Sequence, residues 1–308
     1  MIETVVSFAP DPGVLAPTAL IVAAPNRMDA HARAIEAAGA RLIDRVEPVA
    51  MAARIDMQIR LDIVLFDATG VGHLEAADAA DALASRHDAR HCRIVALLDA
   101  AAIDAVAPPL LNRCTALLCD ASPAQYAAAL VAVMAEPGAR LHDATHEREA
   151  ERLRMLNDEV ARLAEVLTQL SAERPGGVRD RANSFRAEPA IEPDPDPRVV
   201  RSTIRARRLR DQHFPSELFA DPAWDMLLDL YAARLEGRRV SVSSLCIAAA
   251  VPPTTALRWI GTLHDANLFG READPTDKRR AHITLTEHAT GGMRGYFAAA
   301  ARAGLAAG

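Results

Sequence analysis

Residues 241–286 read SVSSLCIAAAVPPTTALRWIGTLHDANLFGREADPTDKRRAHITLT. Ser241 or Ser243 offers a hydroxyl to the unsatisfied N–H groups of a first helical turn, and Leu245, Ala248 and Ala249 follow at helical spacing. Pro252 and Pro253 end that helix, because proline lacks an N–H and the residue before it avoids the α region. Thr254 is then expected to cap a second helix, with Leu257, Ile260 and Leu263 as its buried stripe. Thr254, Thr255, Arg258, Gly261 and Thr262 are left on the outer side. Two strand-like runs follow, Leu268 to Glu272 and Ala281 to Leu285, joined by Asp and Pro turn residues and by the consecutive cations Lys278, Arg279 and Arg280.

Two short helices followed by a basic hairpin make the layout of a winged helix-turn-helix. The stretch resembles the winged helix of the MarR family of bacterial transcription regulators. The resemblance rests on Ala256 to Ile260, Leu263, Ala266-Asn267-Leu268 (where the family commonly has a Gly-Leu turn), Arg271, Asp274-Pro275, Asp277, Arg279 and Leu285-Thr286-Glu287. It covers about the last third of the chain and implies double-stranded DNA as partner. In that family the second helix enters the major groove and a wing arginine, steadied by a nearby Asp, reaches the minor groove. By position these are Arg279 and Asp277. A narrow minor groove concentrates negative potential that a guanidinium on a stiff hairpin can enter. The candidate DNA contacts are therefore Thr254, Thr255, Arg258 and Thr262 on the helix, with Arg271, Lys278, Arg279 and Arg280 around the wing. A basic turn on a small domain is otherwise an ordinary solvated surface.

Working outward, Glu287 to Ala306 reads as a last helix weakened at its start by Gly291, Gly292 and Gly295. This departs from the MarR pattern, in which long terminal helices form the dimer. Upstream, Asp221-Pro222 is a strong helix start. Trp224, Leu227, Leu228, Tyr231 and Leu235 share a face before Gly237. The arginine-rich run Arg198 to Arg210 either opens this domain as a helix or lies along phosphates as an arm. From residue 198 onward there are 16 basic and 11 acidic residues, against 19 and 30 before it. An acidic front and a basic back fit a regulatory module joined to a nucleic-acid module.

The DNA-binding domain is assigned to residues 201–308. Residues 172–200, rich in Pro and Gly, are expected to form a flexible linker. In residues 141–171, Leu153, Leu156, Val160, Leu163, Leu167 and Leu170 are spaced alternately by three and four. That is an a/d seam flanked by charges, which predicts a dimerising coiled coil; an amphipathic helix packed on its own domain would show a similar stripe.

Residues 1–140 alternate five strand-like runs (Ala19 to Ala23, Ala40 to Arg45, Asp62 to Asp67, Arg93 to Leu98, Ala116 to Cys119) with helical ones. This order predicts an α/β domain, a parallel sheet covered on both faces. It resembles the receiver domain of bacterial response regulators, a flavodoxin-like (βα)5 unit, with Asp67 at the position of the phospho-acceptor at the end of the third strand. Such domains hold Mg²⁺ with acids just after the first strand, to offset charge during phosphoryl transfer. Here that place reads Ala23-Ala24-Pro25-Asn26. The Lys expected after the fifth strand is replaced by Asp120, and the Ser or Thr after the fourth by Asp99. The resemblance is thus to a pseudo-receiver. Asp67 is either a polar cap on the next loop or a residual switch; a cation site shared with Asp99 and Asp120 is a further alternative to turn carboxylates facing water.

Cys92, Cys114, Cys119 and Cys246 lack metal-ligand pairing and are expected as buried reduced thiols. No apolar run of about 18 residues appears, and no basic leader, so the expected compartment is the cytoplasm. With no nucleophile and base pair, phosphate-binding Gly loop or metal spacing, no enzyme activity and no cofactor are expected. The sequence reads as a homodimeric DNA-binding regulator, with another regulatory protein as a further partner for the front domain. Two alternatives stay open: a phosphorylation-dependent regulator using Asp67, and a scaffold whose winged helix binds protein.

Overall fold

The computed structural model describes residues 16–134 and 193–304, save 91, 112 and 275–280. Its first part is a five-stranded parallel sheet. The strands are β1 (Thr18–Val22), β2 (Arg41–Val46), β3 (Ile63–Asp67), β4 (Arg93–Leu98) and β5 (Ala116–Cys119), in the order β2-β1-β3-β4-β5. Chain reversal between β1 and β3 gives the doubly wound order, which places side chains that follow the strands at one carboxyl edge.

Burial on both faces explains why β1, β3 and β4 are nearly unbroken apolar runs. Helices α1 (Met28–Ala37) and α5 (Pro123–Met134) cover one face over Ile21, Ile35, Leu65, Val95, Leu130 and Val133. On the other lie α2 (Pro48–Asp56), α3 (His73–Arg90) and α4 (Ile103–Leu110). Asp99 caps the short turn before α4 by accepting from the Ala102 N–H.

The C-terminal lobe is built on α7 (Pro222–Leu235), which starts at the Asp221 cap and ends at Gly237, where φ is +66°. Its sequence predicts a single buried face, yet Met226, Leu230, Ala232 and Ala233 are buried along with Leu228 and Tyr231. The helix is enclosed because α6 (Pro197–Leu209), α8 (Val242–Ala248) and the sheet all pack on it. That sheet consists of β6 (Val240–Ser241), β7 (Phe269–Ala273) and β8 (Ala281–Leu285), ordered β6-β8-β7. Ser241 caps α8, α9 (Pro253–Asp265) follows, and α10 (Glu287–Arg302) runs unbroken through its three glycines. Asn267 takes φ +56° after α9, the left-handed role that glycine fills elsewhere and asparagine tolerates.

Of the expected 172–200 linker, residues from 193 onward are described, and they are anchored. Asp194 accepts from the Tyr231 hydroxyl at 3.1 Å and from Arg294 Nε at 2.7 Å, and Asp196 caps α6, which already begins at Pro197. The two described lobes belong to one compact unit. Its buried cluster continues from Phe66, Leu98 and Val106 into Tyr231, Leu245 and Leu257. The heptad positions Leu153, Leu156, Val160, Leu163, Leu167 and Leu170 lie outside the described residues.

Candidate functional site

Asp67 ends β3 at the carboxyl edge, and its side chain is wholly buried. Oδ1 accepts from the Thr69 N–H at 2.9 Å and the Thr69 hydroxyl at 2.5 Å, closing the loop after the strand. Oδ2 accepts from Arg27 Nε at 2.5 Å and faces His31 Nε2 at 2.6 Å. A guanidinium, rather than a pair of acids, therefore stands beside Asp67 after the first strand. On its other side His31 Nδ1 lies 2.9 Å from the Tyr126 hydroxyl of α5. A ring that donates from Nε2 to Asp67 accepts from the Tyr126 hydroxyl at Nδ1, which gives both His31 nitrogens a partner.

Burial opposes the charge on Asp67, yet the hydrogen bonds from His31, Thr69 and Arg27 outweigh it and hold the carboxyl below the usual carboxylate range. Burial and the Asp67 charge push the Tyr126 hydroxyl upward. Because the folded-state value of Asp67 is depressed, its contribution to stability is complete above about pH 4, its unfolded range. It is lost as pH falls through the folded value. Circular dichroism between neutral and strongly acid pH should therefore show stability dropping below about pH 4. Asp67→Asn should flatten that acid limb.

The cation site considered around Asp67, Asp99 and Asp120 does not form. Asp99 turns to its own helix cap, and Asp120 sits beside Cys119 at φ +47°. Among the described residues no group of three His, Cys, Asp or Glu side chains is placed to hold a metal. Cys92, Cys114, Cys119 and Cys246 are free thiols, three of them buried. Burial first, and nearby acids second, push Cys119 and Cys246 up to about 12.

The second candidate surface lies on α8, α9 and the hairpin. Leu257, Ile260 and Leu263 are buried as the periodicity predicts, with Ala256 beside them. Arg258 and Thr262 are exposed, one turn apart, and Thr262 donates to the Arg258 carbonyl. Thr255 is half-buried. Lys278, Arg279 and Arg280 lie outside the described residues, between Ala273 and Ala281, which pair across β7 and β8.

Thr254 departs from its expected role. Pro252 occupies the cap position and Pro253 opens the helix, so Thr254 sits within the first turn. Its hydroxyl accepts from the Cys119 N–H at 2.9 Å and donates to the Cys119 carbonyl at 3.0 Å, binding the end of β5. Arg271, though an exposed residue, also meets the other lobe: its Nη1 donates to the Pro108 carbonyl of α4. Arg113 donates to the neighbouring Pro109 carbonyl at 3.1 Å. The two guanidiniums thus meet carbonyls at the negative end of that helix. Burial, then the charge of Arg113, lowers the Arg271 pKa from its ordinary value.

Next to them a half-open cleft of about 450 Å³ separates Arg113 and His87 from His264 and Arg271, with Ile260 and Phe269 in its lining.

The arginine-rich run is a helix rather than an extended arm. Arg201 pairs with Asp229 and Glu236, and Arg207 with Asp225. Arg208 donates to the Ala248 carbonyl at the end of α8. These side chains hold α6 to its own lobe.

Sequence reasoning missed Arg27, His31, Thr69 and Tyr126 around Asp67, and Asp104 of α4, which meets α8. Asp104 accepts from the Ser243 N–H at 2.8 Å and the Ser243 hydroxyl at 2.6 Å. Of these only Arg27 carried a local signal, a cation placed just after the first strand.

No family model and no curated protein matches this chain. A solved structure of a ZitR mutant from Lactococcus lactis is similar at a TM-score of 0.21 and 11% identity, over 49% of this chain and 77% of that one. A likeness this slight does not place the fold. No helix among the described residues is long and apolar enough to cross a membrane.

Proposed function

We propose that the chain is a DNA-binding transcription regulator whose C-terminal lobe reads double-stranded DNA through α9 and the β7–β8 hairpin. The observation that carries this reading is the division of α9. Its apolar stripe is sunk in the lobe while Arg258 and Thr262 face outward, ahead of a hairpin whose connection holds three consecutive cations. A helix so divided can present polar side chains to base edges while a basic hairpin holds phosphates.

Further parts of the reading rest on narrower support. The heptad pattern of residues 153–170 supports a homodimer, which would present two lobes to paired half-sites. The four donors on Asp67 support a pseudo-receiver that acts without phosphorylation. The N-terminal lobe would then serve as a binding surface for a regulatory protein. No catalytic role is assigned to any residue, and the compartment assigned is the cytoplasm.

One observation favours a second reading. Thr254, a candidate base contact, is engaged by protein backbone, as expected of a scaffold whose winged helix binds protein.

Capture of fragmented genomic DNA by the full-length protein, with Arg279→Ala in parallel, tests the assignment. Discrete recovered fragments, lost in the variant, are expected. Capture of nothing by either protein would favour the scaffold.

A further inference from the structure

The contacts between the two lobes use the C-terminal lobe's own candidate DNA contacts. Thr254 is bound through its hydroxyl to both backbone groups of Cys119 at the end of β5. Arg271 is spent on the Pro108 carbonyl. Asp104 takes the main-chain and side-chain donors of Ser243 in the helix before α9. Around these polar contacts α4 packs on α8 and β5 on α9, within one continuous buried cluster. Arg258 and Thr262, further along α9, stay exposed.

We propose that the N-terminal lobe and DNA compete for the first turn of α9 and for Arg271, so that the docked form is the closed state of the regulator. This rests on the DNA-binding reading and adds the device that controls it. In helix-turn-helix proteins the N-terminal residues of the recognition helix meet the base edges. With Thr254 against β5, backbone of the other lobe occupies the space a base would need. DNA binding through that turn requires the docking to open, and the apparent affinity is reduced by the fraction of molecules that are open. Asp104 is the handle. It lies on α4 of the other lobe, is not itself a DNA-binding candidate, and supplies a side chain that takes two donors of the lobe it holds. Hydrogen bonds to a charged group are the strong class.

The full chain carrying Asp104→Arg, with Asp104→Ala as a milder variant, provides the test, using fragmented genomic DNA of the source organism as probe. Two quantities are read together: the dissociation constant for that DNA, and hydrogen exchange at the Cys119 amide, which donates to Thr254 in the closed form. Both variants are expected to exchange that amide faster and to bind DNA at least about tenfold more tightly, as the open fraction rises. Equal affinity in wild type and both variants, whatever the exchange, overturns the competition. If none of the three binds DNA, the DNA-binding reading itself fails and the competition falls with it. Faster exchange at Cys119 would then leave only the docking.

Discussion

Asp67→Ala is expected to lower the unfolding free energy by about 3 kcal/mol, the cost of taking a buried acceptor away from its donors, although Arg27 is itself 43% exposed. Arg27 and His31 converge on Oδ2 at 2.5 and 2.6 Å, and Thr69 gives two hydrogen bonds to Oδ1. Alanine leaves these donors facing a hole without an acceptor, and it uncouples the His31 and Tyr126 pair that joins α1 to α5. Asp67→Asn keeps one acceptor oxygen and should cost less, about 1–3 kcal/mol. Urea denaturation of wild type and both variants, read by circular dichroism, gives the order directly. A loss below about 1 kcal/mol for alanine would mean that the network contributes little to the fold. The same donors bear on phosphorylation, since each oxygen already accepts twice within a wholly buried side chain. Acetyl phosphate followed by intact-mass measurement should add nothing. An added phosphoryl group that disappears in Asp67→Asn would overturn the pseudo-receiver reading.

The five strands were legible because parallel strands buried on both faces become apolar runs, as in Ile63 to Phe66 and Ile94 to Leu98. The end of β3 followed from that pattern, and so did the place of Asp67. Its partners did not. His31 lies 36 residues before it and Tyr126 95 residues after His31, on separate helices, and nothing in helical periodicity marks them for each other. Their side chains meet only because the doubly wound order folds α1 and α5 over the same sheet face.

In the other lobe, the stripe Leu257, Ile260 and Leu263 was readable from spacing alone. Thr254 was not. Proline suits the first turn of a helix, where a missing N–H costs nothing, so Pro253 sets the start and leaves the threonine hydroxyl for another partner. That partner lies 135 residues away, and Asp104 lies 139 from Ser243. Local pattern predicts two modules on a tether, whereas the docking depends on surface complementarity that only the folded chain expresses. Anchoring of the tether's end has the same origin, because Asp194 finds Tyr231 and Arg294 across the fold.

Replacing Lys278, Arg279 and Arg280 together with alanine is expected to weaken DNA binding about a hundredfold at near-physiological salt. At roughly 1 kcal/mol for each lost contact, three cations amount to about 3 kcal/mol, or two decades in affinity. The salt dependence discriminates more sharply than the affinity. Each cation that neutralises a phosphate releases a counterion, so removing three should reduce the slope of log affinity against log salt by about 2–3. The prediction requires that stability move by no more than about 0.5 kcal/mol, as for a change outside the core. Arg258→Ala separates the two surfaces: a base-reading role predicts relaxed sequence preference with a nearly unchanged slope, whereas a phosphate role predicts uniform weakening and a slope smaller by about 1. A triple variant that binds as tightly as wild type, with the same slope, would remove the wing from the interface. α9 alone would then have to supply the contact, with Arg258 and Thr262 exposed while the lobes are docked and Thr254 added only once the docking opens. Specific binding would then depend wholly on the open form.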